Sequence, residues 1–413
     1  MNFQHTAPAL DELLLDVVTV IELSDHDRSV AESRYGRLKP HLERPSSPLR
    51  PYLLNTASLI YPQGSMAIGA TIVSGTEDDR YDVDALVDMP VPAYWSDDDV
   101  LDHLEEALQG FPDVREIIRC TRCVQMRFAF MHMDVTILDP MAEPRPERVG
   151  EIFHSPDQAK GYRVPSNPYG FSRWYRENVV PPPQNLLDEV EKRRRDFGVN
   201  RLGDLSIVAK VEQEDLPTVV PERLDGQQVY ALKLMKRFLN LRYEGRALKR
   251  PPSIYLTKLS VTCGFEPRGL TAQMELFAST IRDEMAAALP VGQGPDERNP
   301  RYEEDRINDR WPITQADRKA LHEDMEYLLD ALVKARDSEI SDVLKIFADL
   351  FGERVKSRTF DAFTKRRDQR DGRRPMTFEK GTGTVLPASV ISSPAVALGQ
   401  VPRHNFHCED DQK

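Results

Sequence analysis

The chain has 413 residues, 40% of them hydrophobic, four cysteines and a formal net charge of −12. That supplies apolar residues for a full core over two or three domains and too few cysteines for a disulfide framework. The acidic balance argues against a stable long nucleic-acid partner, because neutralising phosphates drives such binding.

No run approaches the ~20 continuous apolar residues of a membrane-spanning helix. Met1-Asn2-Phe3-Gln4-His5 has neither the basic nor the apolar part of a secretory signal. A cytoplasmic protein with no membrane partner is expected.

In chain order, Leu10, Leu13, Leu14, Val17, Val18 and Ile21 fall at helical spacing, and residues 10–42 read as one or two helices. Pro45, Pro48 and Pro51 then punctuate. From Ala57 to Asp139 the pattern changes. Ala57–Tyr61 is a short apolar run, and Tyr81–Asp88 alternates Val83, Ala85 and Val87 against Asp82, Asp84 and Asp88. Phe128–Leu138 alternates in the same way, so both read as strands, with a helix over Leu101–Leu108 between them. Residues 150–225 read as loops around short helices, broken by Pro165, Pro168 and Pro181-Pro182-Pro183.

Helices are then expected over Gln227–Tyr243, Ser253–Cys263, Ala272–Leu289, Gln315–Ser338 and Ile340–Phe351. Beyond about Pro375 the periodicity fades into a flexible tail. This organisation divides the chain into residues 1–220, 221–375 and 376–413.

Cys120-Thr121-Arg122-Cys123 has the spacing of a zinc half-site, but no second Cys/His pair follows, so the thiols read as structural. The basic stretches Arg193-Arg194-Arg195 and 354–374 read as solvated faces or linker.

Three acidic residues stand apart from the other acids of this acidic chain. Asp25-His26-Asp27 and Asp97-Asp98-Asp99 sit in polar segments where exposed acids are ordinary. Asp82 and Asp84 open an alternating strand, so both point to one face of a sheet. Asp134 follows from a second strand, flanked by Met133 and Val135. A carboxylate on the buried side of an apolar strand costs several kcal/mol unless it is paired or metal-bound. Capping a turn, or pairing with Arg122 or Arg127, is the alternative for Asp134. Converging carboxylates repel one another unless divalent cations sit between them, an arrangement suited to metal-assisted nucleotidyl transfer. Gln63-Gly64-Ser65 supplies a turn in which glycine permits close approach of a phosphate and serine offers a hydroxyl.

Gln63-Gly64-Ser65 through Thr71, Asp82-Val83-Asp84 and His132-Met133-Asp134-Val135 together resemble the polymerase-β-type nucleotidyltransferase superfamily. Ser166-Asn167-Pro168-Tyr169-Gly170 with Trp174 narrows the resemblance to the bacterial cGAS/DncV-like nucleotidyltransferases (CD-NTases), cyclic-oligonucleotide synthases of CBASS anti-phage systems. Ala231–Arg237, Pro251–Tyr255 and Arg298-Asn299-Pro300 with Asp305 and Trp311 resemble further motifs of that family. The likeness runs over about residues 10–350.

It implies an α+β fold, a two-lobed polymerase-β-like core of mixed sheet and helices with a C-terminal helical, oligoadenylate-synthase-like lobe. It implies Asp82, Asp84 and Asp134 as catalytic metal ligands for two Mg²⁺, with Mn²⁺ as a substitute. Gln63, Gly64, Ser65, Lys236 and Ser253 become the nucleotide-binding residues. Nucleoside triphosphates, ATP among them, are the implied substrates. Regulatory or conjugating CBASS proteins acting through the tail are the implied partners. The faint tail motif Pro402–His407 departs from the family by continuing to Lys413 with no terminal glycine.

The same catalytic core also serves template-independent enzymes that make linear oligonucleotides or extend RNA. On a helix over 227–243, Lys233 and Lys236 share a face with Asn240, and spacing alone leaves both as surface lysines. Tyr255 reads as a base platform or a core residue, Trp174 and Trp311 as core, and His132 as hydrogen-bond support for the carboxylates.

Overall fold

The alternation in Tyr81–Asp88 does build a strand, and the strand decides the layout of the molecule. The structure, a computed structural model, describes residues 6–54, 58–75, 80–142, 147–156, 159–197, 225–292, 294–312, 314–370, 376–378 and 385–387. Two compact units divide the chain, Met1–Phe360 and Asp361–Lys413. The tail motif at Pro402–His407 lies outside the described residues.

The first unit opens with α1 (Thr6–Ile21), α2 (Asp25–Gly36), α3 (Leu38–Leu42) and α4 (Arg50–Leu53). The mixed region holds β1 (Leu59–Gln63), α5 (Gly64–Ala67), β2 (Tyr81–Asp88), α6 (Asp97–Leu108), β3 (Glu116–Arg119), β4 (Val124–Arg127), β5 (Met131–Pro140), β6 (Gly150–His154) and β7 (Tyr162–Ser166). Then come α7 (Pro168–Asn178), α8 (Gln184–Asp196), α9 (Gln227–Tyr243), α10 (Ser253–Thr262), α11 (Leu270–Val291), β8 (Arg298–Asn299), β9 (Tyr302–Arg306), α12 (Gln315–Arg336) and α13 (Ile340–Phe351). In sequence α14 (Glu353–Arg370) spans the boundary, and the second unit holds the antiparallel pair β10 (Met376–Phe378) and β11 (Val385–Pro387).

Among the described residues, β1 to β7 form one seven-stranded sheet in the order β1-β2-β5-β4-β3, with β6 joining β5 and β7 joining β6. Only β2 and β5 run parallel. One face carries Tyr81, Val83, Ala85 and Val87 into a core with Leu101, Leu104 and Leu108 of α6. Each such fully buried aliphatic side chain contributes about 1.5–3 kcal/mol. Helix α6 starts where it does because Ser96 and Asp99 close a reciprocal capping box. The opposite face of β2 carries Asp82 and Asp84, then Leu86, which packs with Tyr61 and Leu138.

The mixed α+β architecture agrees with expectation. Several elements differ from it, among them the β10–β11 pair at the start of the expected flexible tail. Strand β5 starts at Met131, because the Phe128 N–H donates to the Met131 carbonyl and closes a turn over Phe128–Phe130. Residues 150–166, read as loop, extend the sheet as β6 and β7.

Helix α9 is buried almost all round, packed by α1, α10, α11 and α13, as an interior helix must be. Charges come in with it, and they are paired. Lys233 Nζ donates to Glu22 at 2.6 Å. The Arg194 guanidinium grips both oxygens of Glu22 at 2.8 Å and reaches Asp225 at 2.7 Å. Arg193 donates to Asp16 at 3.0 Å. So Arg193 and Arg194 are not a solvated face. They are fully buried, joining α8 to the end of α1.

Candidate active site

Strand pairing brings the three acids together. In the parallel register Asp84 lies opposite Asp134 and Asp82 opposite His132. The antiparallel register places Gln63, at the end of β1, opposite Asp84. The chain then turns through Gly64 into the single turn of α5. Gly64 has φ +60, and a Cβ there would stand 2.2 Å from Asp84 Oδ2. Glycine is required at this position because the backbone lies against a carboxylate, in a conformation that L side chains avoid.

Asp84 is held well above the usual carboxylate range by burial first, then by Asp134 and Asp82. Asp134 is raised mainly by burial, with Asp82 adding to it. Gln125, its register partner on β4, donates to Asp134 Oδ1 at 2.9 Å and accepts from Arg127 Nε at 2.8 Å. Thus Asp134 reaches Arg127 only through Gln125, and it caps no turn. Asp82 is the open member of the trio, its side chain 69% exposed and 3.6 Å from His132 Nδ1. The other imidazole nitrogen lies 3.0 Å from Arg80, which gives His132 the supporting role expected of it.

All three carboxylates line a cavity of about 590 Å³, within the range of ligand pockets. Among the described residues no three His, Cys, Asp or Glu side chains form a closed ligand group.

Gln63, Gly64, Ser65, Lys236 and Ser253 line the same cavity. Lys236 Nζ donates to Ser65 Oγ and, at 2.9 Å, to the Ala70 carbonyl. Burial and the nearby Arg250 bring its pKa down to about 8, against the pull of Asp82 and Asp84. Lys233 does not share the cavity. It is buried against Glu22, one helical step away, so the common face read from spacing divides between two environments.

The family motifs around Asn167 and Asn299 are structural. Asn167 caps α7 by accepting from Gly170 N at 2.9 Å. Its own N–H donates to Asp305 Oδ2 at 2.8 Å. Asn299 Nδ2 donates to the Asn167 carbonyl at 2.8 Å and to Asp305 at 2.9 Å. This buried knot fastens β8 and β9 to the sheet side of the cavity. Tyr255 is core: it is fully buried, its hydroxyl donates to Glu284 at 2.8 Å, and its ring lies 5.1 Å from that of Trp311. Trp311 is buried too, and its indole N–H donates to the Lys249 carbonyl at 2.9 Å.

Spacing gave no sign of Gln125, Lys249, Arg250 or Arg310, all of which except Gln125 line the cavity. The β4–β5 register would have exposed Gln125. The three cations lie in irregular segments that carry no periodic signal. Cys120 and Cys123 are free thiols, and burial pushes the Cys123 thiol well up.

No family model matches the chain. The cyclic dinucleotide synthase CdnG of Bradyrhizobium diazoefficiens is 30% identical over 409 residues, spanning 96% of this chain and 93% of the relative. The structure of the B. diazoefficiens CD-NTase CdnG in complex with GTP superposes with a TM-score of 0.72 at 28% identity, covering 86% of this chain and 99% of that one. DncV of Vibrio cholerae, with its linear intermediate, gives a TM-score of 0.47 at 15% identity over 73% of this chain and 70% of its own, too distant to bear on the site. The sheet that sets Asp82, Asp84 and Asp134 around one cavity and the near-full-length likeness to CdnG agree, and the chain belongs to the CD-NTase family.

Proposed function

We propose that this protein is a metal-dependent nucleotidyltransferase that joins nucleoside triphosphates, ATP among them, into a cyclic di- or trinucleotide, a signal in anti-phage defence. One observation carries the reading: Asp82, Asp84 and Asp134 share a cavity with the Ser65–Lys236 pair. Family membership supports it.

The donor set fits a hard divalent cation. It is all oxygen, and burial and mutual repulsion hold Asp84 and Asp134 above their usual range, a strain that positive charge relieves. Two Mg²⁺, with Mn²⁺ as substitute, would be held by Asp82, Asp84 and Asp134. When bound they lower the pKa of an acceptor ribose hydroxyl and neutralise charge on departing pyrophosphate.

The chain's own residues do the positioning. Ser65, Lys236 and Ser253 grip the donor's β- and γ-phosphates, and Gly64 lets the backbone lie close beside them. An arriving triphosphate raises the pKa of Lys236 and secures its charge. Asp134, fixed by Gln125, orients the attacking hydroxyl and takes its proton. That oxygen bonds to the donor's α-phosphorus as the bond to the β-phosphate oxygen breaks, releasing pyrophosphate. Fixed geometry and preorganised charge supply most of the rate. In this reading residues 1–220 furnish the carboxylates, residues 221–375 furnish Lys236 and Ser253, and the tail from 376 meets regulatory or conjugating partners in the cytoplasm.

Incubation with the four nucleoside triphosphates and Mg²⁺, then phosphatase and mass analysis, tests this. A phosphatase-resistant ring is expected from the wild-type protein and none from Asp84→Asn. A product trimmed by phosphatase would select the linear-oligonucleotide reading instead. Equal product from Asp84→Asn would remove the metal assignment.

A further inference from the structure

In this acidic chain many cations face a carboxylate. Arg163 takes Asp139 at 2.6 Å, Arg242 and Arg246 take Asp324 at 2.8 and 2.7 Å, and Arg194 takes Glu22. On the cavity wall Arg122 and Arg306 take Asp309 and Asp296, but Lys249, Arg250 and Arg310, open to the cavity, bond to no carboxylate among the described residues. Lys249 and Arg250 have no side-chain partner among the described residues. Arg310 has only the neutral Thr121 hydroxyl, at 3.2 Å.

They fall into two groups. Arg250 acts on Lys236 and feels Asp82, so it belongs with the donor's phosphates. Lys249 and Arg310 repel one another and Arg122, itself clamped to Asp309, repels both, while Asp309 attracts both and Asp317 attracts Lys249. The segment is held in place despite that repulsion. The Lys249 N–H donates to Asp317 at 3.0 Å, and its carbonyl accepts the Trp311 indole at 2.9 Å. Neighbouring cations fixed on a cavity wall, with no carboxylate bonded to them, mark a site for an anion.

Joining two nucleoside triphosphates needs such a site. The donor's tail lies at Ser65 and Lys236, while the acceptor's own 5′-triphosphate is a bystander in the first step. Two polyanionic tails in one cavity repel each other unless separate cations hold them apart. We propose that Lys249 and Arg310 bind the 5′-triphosphate of the acceptor nucleotide. This rests on the nucleotidyltransferase reading above. In the first bond-forming step the acceptor's ribose oxygen attacks the donor α-phosphate and pyrophosphate leaves. The acceptor's own triphosphate stays intact, available for ring closure.

The test separates the two tails. A 2′,3′-dideoxynucleoside triphosphate serves as donor, since it cannot accept. An α,β-methylene nucleoside triphosphate serves as acceptor, since it cannot donate, and is compared with the nucleoside monophosphate, in guanosine and adenosine forms. The wild-type protein is expected to show the lower KM for the triphosphate acceptor. Lys249→Gln and Arg310→Gln are each expected to raise that KM roughly tenfold, the loss of one charge-assisted contact. The KM of the monophosphate acceptor, the KM of the donor and kcat should hold, and Arg310→Lys should keep the preference. Truncating Lys249 breaks no hydrogen bond, so that variant reads the site even if Arg310→Gln folds poorly. Equal effects on both acceptors, or none on either, would overturn the proposal while leaving the function standing. A wild-type protein that makes no product would instead remove the function, and the inference with it.

Discussion

Replacing Gly64 by alanine perturbs the closest backbone approach in the cavity. Two costs follow from the structure. At φ +60 a residue with a Cβ loses about 1–2 kcal/mol. The new Cβ would also stand 2.2 Å from Asp84 Oδ2 and 2.9 Å from its Cγ. Ordinary contact needs ~3.5 Å or slightly less, so the carboxylate must move by about 1 Å. A misplacement of that size at a reacting centre costs ~10²-fold in rate. Gly110→Ala is the control: Gly110 has φ +74 with nothing within 4 Å of its Cβ position, so it carries the strain without the clash. Urea unfolding should show a loss of about 1–2 kcal/mol for Gly110→Ala and at least that for Gly64→Ala. Pyrophosphate release at saturating nucleotide should fall about a hundredfold for Gly64→Ala and stay near wild type for Gly110→Ala. Wild-type turnover from Gly64→Ala would refute the placement of Asp84 against that turn.

Other expectations follow from the same coordinates. Asp84's folded-state pKa is raised, so its contribution to stability is fully present below its unfolded value of about 4 and is lost as pH rises through the raised value. Denaturant titrations in chelator should therefore find Asp84→Asn more stable than wild type above that window, with added Mg²⁺ narrowing the gap. Arg194→Met removes the guanidinium bonds to Glu22 and Asp225 in the interior and should cost about 3–5 kcal/mol by urea unfolding, with nucleotide KM unchanged. Asn299→Ala removes donors to Asn167 and Asp305 and should cost about 1–3 kcal/mol, measurable in the same way.

Much of this was legible in the sequence where a period was strong. Tyr81–Asp88, Gln227–Tyr243 and Ile340–Phe351 have the bounds that their hydrophobic patterns indicate. The parity that put Asp82 and Asp84 on one face is a property of any strand. What the pattern could not carry was pairing. Gln125 supports Asp134 through a hairpin whose strands, Glu116–Arg119 and Val124–Arg127, are too short to show alternation. Lys233 and Lys236 look alike on a helical projection. They part company because α9 is packed on nearly all sides, so neighbouring faces meet different elements. Lys249, Arg250 and Arg310 lie on irregular backbone, and only tertiary structure gathers them.

Diffraction from crystals soaked with Mn²⁺ and a non-hydrolysable nucleoside triphosphate puts the central claim to the most direct test. Anomalous peaks are expected within coordination reach of Asp82, Asp84 and Asp134, with the triphosphate at Ser65 and Lys236. Peaks elsewhere, or none beside those three carboxylates with nucleotide bound, would contradict it.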